Sequence, residues 1–216
     1  MLELSGVIFD VDGTITATNQ LIFDSFNFVS EKYAGKTLSD QEIIALFGPP
    51  EDVVLKKLTD ENFEMVQKDY YNFYRTNHKK MASLYPGIED CFKLVKSLKL
   101  PLGIFTGKGK LSTKISLEEL NISHYFEPIV TGDDVTNHKP SGDGILKFLE
   151  YHELSPKKVL MIGDSTQDVI AAREAGVNIA AVLWDSYGKA DVEAMEPDFS
   201  FYSVNDLYLF LKKSLK

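Results

Sequence analysis

Short apolar runs recur along the chain: 6–9 (GVIF), 101–105 (PLGIF), 127–131 (EPIVT), 158–163 (KVLMIG) and 178–184 (NIAAVLW). They lack the strict alternation of a half-exposed strand, so each reads as a strand buried on both faces. Between them the apolar period lengthens to that of a helix. Ile88, Phe92, Val95 and Leu98 fall on one helical face, as do Ile145, Phe148 and Leu149, and Val169, Ala172 and Ala175. Strands alternating with amphipathic helices predict an α/β fold with a Rossmann-like parallel sheet covered on both sides. In such sheets ligands bind at the carboxyl ends of the strands. Asp10, Thr106, Asp133 and Asp164 cluster at those ends here.

The interval from Ala17 to Tyr85 breaks the alternation. Ile22, Phe26, Val29 and Tyr33 form one helical stripe, and Phe63, Val66, Tyr70, Phe73 and Asn77 a second, with a shorter pattern from Ile43 to Phe47. No strand pattern separates them. The expectation is an all-helical cap over 17–85, inserted into an α/β core made of 1–16 and 86–216. Pro86 and Gly87 open the next helix. The last segment, FYSVNDLYLFLKKSLK, reads as an amphipathic helix with basic residues at its carboxyl end.

Composition narrows the picture only a little. The 216 residues are 44% hydrophobic and carry a formal net charge of −9, with no basic run, so a nucleic-acid partner is not expected. The single cysteine, Cys91, excludes an intramolecular disulfide framework and reads as a core residue. The opening MLELSGVIFD has neither a basic region nor a cleavable apolar core, and no apolar run is long enough to span a membrane. A cytoplasmic protein without a membrane partner, a monomer or small homo-oligomer, is the expectation.

The candidate chemistry begins at the tip of the first strand. Asp10 and Asp12 point the same way in an extended chain, and two converging like charges need a cation or a proton between them. Alone, this pair also fits a plain turn closed by Asp12 and Gly13. VLMIGDSTQD then repeats the layout: an apolar strand, a glycine, Asp164 at the tip, and Asp168 four residues on. A neighbouring parallel strand would bring Asp164 beside Asp10 and Asp12. Three carboxylates with oxygen-only ligation suit Mg²⁺. Asp168 reads either as a solvated first-turn helix acid or as a support for the cluster.

IFTGKGK ends another strand with the Thr106 hydroxyl followed by small residues and exposed amides, so Thr106, Gly107 and Lys108 are candidate phosphate-binding positions. NHKPSG places Lys139 before a proline that opens a helix, where its ammonium can neutralise a phosphate and a nucleophilic aspartate. GKGKLS lacks the glycine spacing of a nucleotide P-loop. The four histidines are scattered singly and read as structural or exposed, and no serine has a nucleophile-elbow context.

Taken in order, DVDGT, Thr106, Lys139 and GDSTQD resemble the four motifs of the haloacid dehalogenase superfamily. The resemblance covers nearly the whole chain and lies with the phosphoglycolate-phosphatase-like and β-phosphoglucomutase-like group, whose helical cap follows the first strand. It implies Asp10 as nucleophile, Asp12 as general acid and base, and Thr106 and Lys139 as catalytic partners. It further implies Mg²⁺ held by Asp10, the Asp12 backbone carbonyl and Asp164, with Asp168 in support. FGPP resembles the cap's specificity loop, carried here by Gly48 and Pro49. The implied activity is hydrolysis of a small phosphorylated metabolite, phosphoglycolate-like, through an aspartyl-phosphate.

A phosphomutase shares these motifs and stays open as an alternative. Dehalogenase chemistry needs neither the second acid nor the metal cage, and nothing singles out Lys56 or Lys57 for the Schiff base of a phosphonate hydrolase. A phosphoacceptor signalling module is disfavoured, because here the acid pair closes the first strand and a large insert follows. The chain departs from the group at three positions. Ala17 stands where many relatives have an acid, so Thr16 or Thr18 is expected to cap the hinge. Gly107 replaces a commoner asparagine, and Gly142 a frequent proline.

Overall fold

Strand β1 (Gly6–Phe9) is followed by the two-residue strand β2 (Thr16–Ala17) and then by α1 (Asn19–Ala34), α2 (Asp40–Ile44), α3 (Glu51–Leu58) and α4 (Phe63–Met81). A second two-residue strand, β3 (Ser83–Leu84), leads to α5 (Ile88–Ser97), β4 (Leu102–Phe105), α6 (Lys110–Glu119), β5 (Ile129–Val130) and α7 (Asp143–His152). The chain closes with β6 (Val159–Gly163), α8 (Thr166–Ala175), β7 (Asn178–Val182), α9 (Lys189–Ala194), β8 (Phe199–Phe201) and α10 (Val204–Ser214). This computed structural model describes residues 3–58 and 62–215, so the extremes of the expected core, residues 1, 2 and 216, lie outside it.

The sheet has six parallel strands in the order β5-β4-β1-β6-β7-β8, with β1 between β4 and β6. Because strand side chains alternate between faces, each strand feeds two cores. Val7, Phe9, Leu160 and Ile162 pack with Phe92 of α5 and Leu207 of α10. Ile8, Val159 and Met161 pack on the other side with Phe148 of α7 and Val169 of α8. Helices on both faces follow from this double burial. Phe9 meets Phe92 edge to face, with centroids 5.3 Å apart.

A third apolar cluster lies in the cap, where Leu21, Phe26 and Val29 of α1 meet Val66, Tyr70 and Tyr74 of α4, and Ile115 of α6 joins them. The cap hangs from the antiparallel pair β2–β3, in which Thr16 faces Leu84 and Ala17 faces Ser83. Neither short strand had a sequence pattern. Among the described residues, no helix is long and apolar enough to cross a membrane.

Several local expectations shift. The α4 stripe buries Tyr74 and His78 rather than Phe73 and Asn77, because both turn toward Ser116 of α6, at 2.8 Å from the Tyr74 hydroxyl and 3.1 Å from His78 Nε2. Leu98 follows the last residue of α5 and is 40% exposed, while Cys91 takes its place in the core. Helix α3 was not expected. Phe201 belongs to β8, an edge strand too short and too polar at Ser200 to register as a buried run. Pro140 does not open α7, which begins three residues later at Asp143.

Gly144 in the first turn of α7 tests how tightly the sheet face is packed. A Cβ there would overlap the ring of Phe105, which is only 1% exposed. Alanine gains about 1 kcal/mol of helix propensity, but overpacking a fixed ring costs about 1–3 kcal/mol and should win. Gly144→Ala is expected to lower the urea midpoint. Gly188→Ala, with nothing within 4 Å of the new Cβ, should leave it unchanged.

Candidate active site

The carboxyl ends of β1, β4 and β6 deliver Asp10, Thr106 and Asp164 to one place beneath the cap. The Asp10 N–H donates to the Ile162 carbonyl at 2.9 Å, which fixes the strand tip. Gly13 then turns the chain at φ 76°, and a Cβ there would strike Asp164 Oδ2 at 2.5 Å, so only glycine fits. Asp10, Asp164 and Asp168 each present a carboxylate oxygen within 4.8 Å of the other two.

Asp168 lies in the first turn of α8 with its side chain fully buried, which rules out the solvated-acid reading. Ser165 holds one of its oxygens, donating from its hydroxyl at 2.6 Å and its N–H at 3.0 Å. Lys139 Nζ donates to the other oxygen at 2.5 Å and pairs with Asp10 Oδ1 at 3.1 Å. The same ammonium lies 4.8 Å from the centre of the Phe105 ring. Thr14 donates its hydroxyl to Asp164 at 2.9 Å.

Three carboxylates share one ammonium, so the cluster is short of positive charge. Burial raises the Asp10 pKa from 3.8 to about 6; Lys139 opposes the shift, while Asp168 and Asp12 add to it. Burial, then Asp168 and Asp10, hold Asp164 well above the usual carboxylate range. Burial alone would lower the Lys139 pKa, but Asp10 and Asp168 outweigh it and raise it. Asp10 Oδ1 is buried and accepts no hydrogen bond. All-oxygen donors, a buried carboxylate oxygen without a hydrogen bond and a shortage of positive charge fit a hard divalent cation such as Mg²⁺.

The Asp12 side chain faces away from that cluster. It accepts from Thr18 Oγ1 at 2.5 Å and pairs with Lys108 Nζ at 3.1 Å. Any contribution of Asp12 to a cation would therefore come through its backbone carbonyl. Thr18 is the residue preceding α1 but makes no helix cap, because its hydroxyl is spent on Asp12; Thr16 donates to the Val11 carbonyl instead. The expected hinge cap is absent for that reason.

Lys108 lines the cavity, but its ammonium is not free. Its side chain is 2% exposed, lies 3.5 Å from Glu51 Oε1 of the cap, and sits over the Tyr74 ring at 4.7 Å. Glu51, itself buried, also accepts from the Gly109 N–H and the Ser112 hydroxyl, both at 2.6 Å. The amides of this loop are therefore less exposed than the sequence suggested. Lys108 N–H donates to Thr106 Oγ1 at 3.3 Å, and Lys110 N–H to Asp133 at 2.7 Å. Carboxylates have settled on the unpaired amides that open α6. Sequence reasoning missed Glu51, since an acid in the first turn of a helix ordinarily faces water.

Gly48 and Pro49 of the cap reach the same cavity, whose volume is about 280 Å³. The Gly48 carbonyl lies so close to Gly107 that a Cβ there would sit 2.7 Å away, which explains why asparagine is not found at this position. At Gly142 the N–H donates to Glu174 at 3.0 Å, a bond that proline could not make.

The haloacid dehalogenase-like hydrolase family matches residues 7–182. The chain belongs to that family. Pyrophosphatase PpaX of Bacillus cereus is 29% identical over 206 residues, covering 95% of each chain. A haloacid dehalogenase-like hydrolase from Streptococcus pneumoniae superposes with a TM-score of 0.77 at 25% identity, over 96% of this chain and 98% of that one. A predicted phosphoglycolate phosphatase from Haemophilus somnus shares the fold with a TM-score of 0.87 at 21% identity, over 97% and 99%.

The crowding of carboxylates predicts how this hydrolase responds to pH without metal. Because the Asp10 pKa is raised in the folded state, the native protein binds more protons than the unfolded chain between about 3.8 and 6. That contribution to stability is complete below the window and is lost as pH rises through it. In chelator, the melting temperature should fall across this range, and Mg²⁺ at neutral pH should restore it. Asp164→Asn should raise the chelator melting temperature and abolish the Mg²⁺ effect. Thermal scans that are flat in both pH and Mg²⁺ would contradict the cluster.

Proposed function

We propose that this hydrolase is a Mg²⁺-dependent phosphatase that acts on a small phosphorylated metabolite through an aspartyl-phosphate on Asp10. The observation that carries the reading is Asp10 itself: a largely buried carboxylate at a strand tip, one oxygen of which lies 3.1 Å from the Lys139 ammonium and has no aligned hydrogen bond. A carboxylate so placed is a nucleophile supplied with a counter-charge. The pyrophosphatase name of the Bacillus cereus relative is in keeping with cleavage of a phosphorus–oxygen bond.

In the first half-reaction a carboxylate oxygen of Asp10 forms a bond to phosphorus while the bond to the leaving oxygen breaks. Asp12 gives its proton to that oxygen and the alcohol departs. In the second half, Asp12 takes a proton from a water whose oxygen attacks the same phosphorus. Inorganic phosphate leaves and the Asp10 carboxylate is regenerated. Thr18 and Lys108 hold Asp12 in one direction throughout. The Thr106 hydroxyl and the Gly107 amide supply donors to the phosphoryl oxygens, and Lys139 keeps Asp10 ionised and offsets the phosphoryl charge. Asp10, Asp164 and the Asp12 carbonyl, with Asp168 in support, would hold Mg²⁺, which would supply the remaining positive charge that an anion needs to approach a dianion.

The cap encloses this chemistry. A cavity of about 280 Å³ beneath Gly48 and Pro49 admits a small ester.

Asp10→Asn is expected to lower turnover of p-nitrophenyl phosphate by about a thousandfold or more without lowering the melting temperature. Wild-type protein quenched in acid during turnover should carry a phosphoryl group that hydroxylamine removes, and Asp12→Asn should accumulate more of it. An active Asp10→Asn protein with no trapped phosphoenzyme would overturn the assignment.

A further inference from the structure

The cavity has two unlike ends. At the core end lie Asp10, Thr106, Lys139 and Asp164, which the proposed chemistry uses. At the cap end the wall is apolar, made by Ile22, Phe26, Ile44, Leu46, Phe47 and Val54. That end must meet whatever is bonded to the phosphoryl group. Among the described residues, the only cations lining the cavity are Lys108 and Lys139. Both are consumed: Lys108 lies between Asp12 and Glu51, Lys139 between Asp10 and Asp168, with side chains 2% and 3% exposed.

Two further features weigh against a second anion. Glu51 and Asp191 bring more carboxylates to the same cavity. Helix α3, whose N-terminus abuts it, holds Glu51 and Asp52 in its first turn and follows two prolines, which have no N–H to offer. An anionic group placed here would lose its hydration without gaining a partner. Neutral polar groups that also line the cavity, among them Asn19, Thr166, Gln167, Ser186 and Tyr187, suit hydroxyl or carbonyl oxygens.

We infer that the group bonded to the phosphoryl in the physiological substrate is uncharged and presents an apolar face to the cap, so that the substrate is the phosphate monoester of a neutral alcohol. This rests on the phosphatase reading and sharpens it. It departs from the phosphoglycolate-like expectation, in which a carboxylate would have to enter the apolar end, and from pyrophosphate, where a second phosphate would.

The test compares kcat/KM, with Mg²⁺, for n-butyl phosphate and 2-phenylethyl phosphate against phosphoglycolate and inorganic pyrophosphate. The neutral esters should be favoured by about tenfold or more, the factor a charged group forfeits when it goes unpaired. Leu46→Lys places an ammonium on the cap wall, its stem replacing the leucine's apolar contact. It should raise the anionic-to-neutral ratio by about tenfold; Leu46→Gln, similar in shape without the charge, should not. A wild-type preference for phosphoglycolate or pyrophosphate, or a ratio unmoved by Leu46→Lys, overturns the inference and leaves the phosphatase reading standing. Failure to hydrolyse any ester, p-nitrophenyl phosphate included, overturns both.

Discussion

The Lys139 ammonium lies between Asp10 and Asp168 with almost no solvent contact, and the geometry of the sheet edge follows from that placement. Bringing three carboxylates to the ends of β1 and β6 is unfavourable in a medium that screens charge poorly. One buried lysine offsets part of the repulsion, and Ser165 and Thr14 hold individual oxygens by hydrogen bonds. Burial first, and then the remaining repulsion among the acids, raises the pKa values of Asp10 and Asp164. A scaffold that tolerates such strain must be rigid around it. The two apolar cores supply that rigidity, with Ile162 and Phe9 fully buried directly beneath the acids.

The cap adds a second ion pair of the same kind. Lys108 belongs to the loop after β4, yet it is shared between Asp12 of the core and Glu51 of the cap. Drawing the cap away would leave Glu51 without the Gly109 and Ser112 donors and would strip Lys108 of one counter-charge. Unpairing a buried charge is costly, of order 3–5 kcal/mol for a fully desolvated pair. Contact between cap and core is thus governed by a few polar groups close to the chemistry as well as by the apolar joint of Ile115 with α4.

Much of this was legible in the sequence because buried strands and polar tips are contradictory demands. A run such as VLMIG has no reason to end in Asp164 unless the acid is wanted there, and the same holds for GVIF and Asp10. Strand order, by contrast, was available only as a class of fold. Glu51 was illegible for a physical reason: its burial depends on α6 lying against the cap, a contact between residues 58 positions apart or more. His78 was hidden likewise, since one residue's rotation of the α4 face separates it from Asn77. Edge strand β8 failed to register because only three residues long, with a serine facing outward, it carries almost no hydrophobic signal.

Gly107 links these levels. Its missing side chain reads in sequence as the loss of a familiar asparagine, a change of polarity. In the fold it is a change of shape, because the Gly48 carbonyl occupies the space an asparagine Cβ would need. Gly48 and Gly107 thus meet backbone to backbone, and both line the cavity together with the apolar residues of the cap. Carboxylates crowd the strand tips and apolar side chains line the cap, while the Lys108–Glu51 pair ties the two ends of the cavity together.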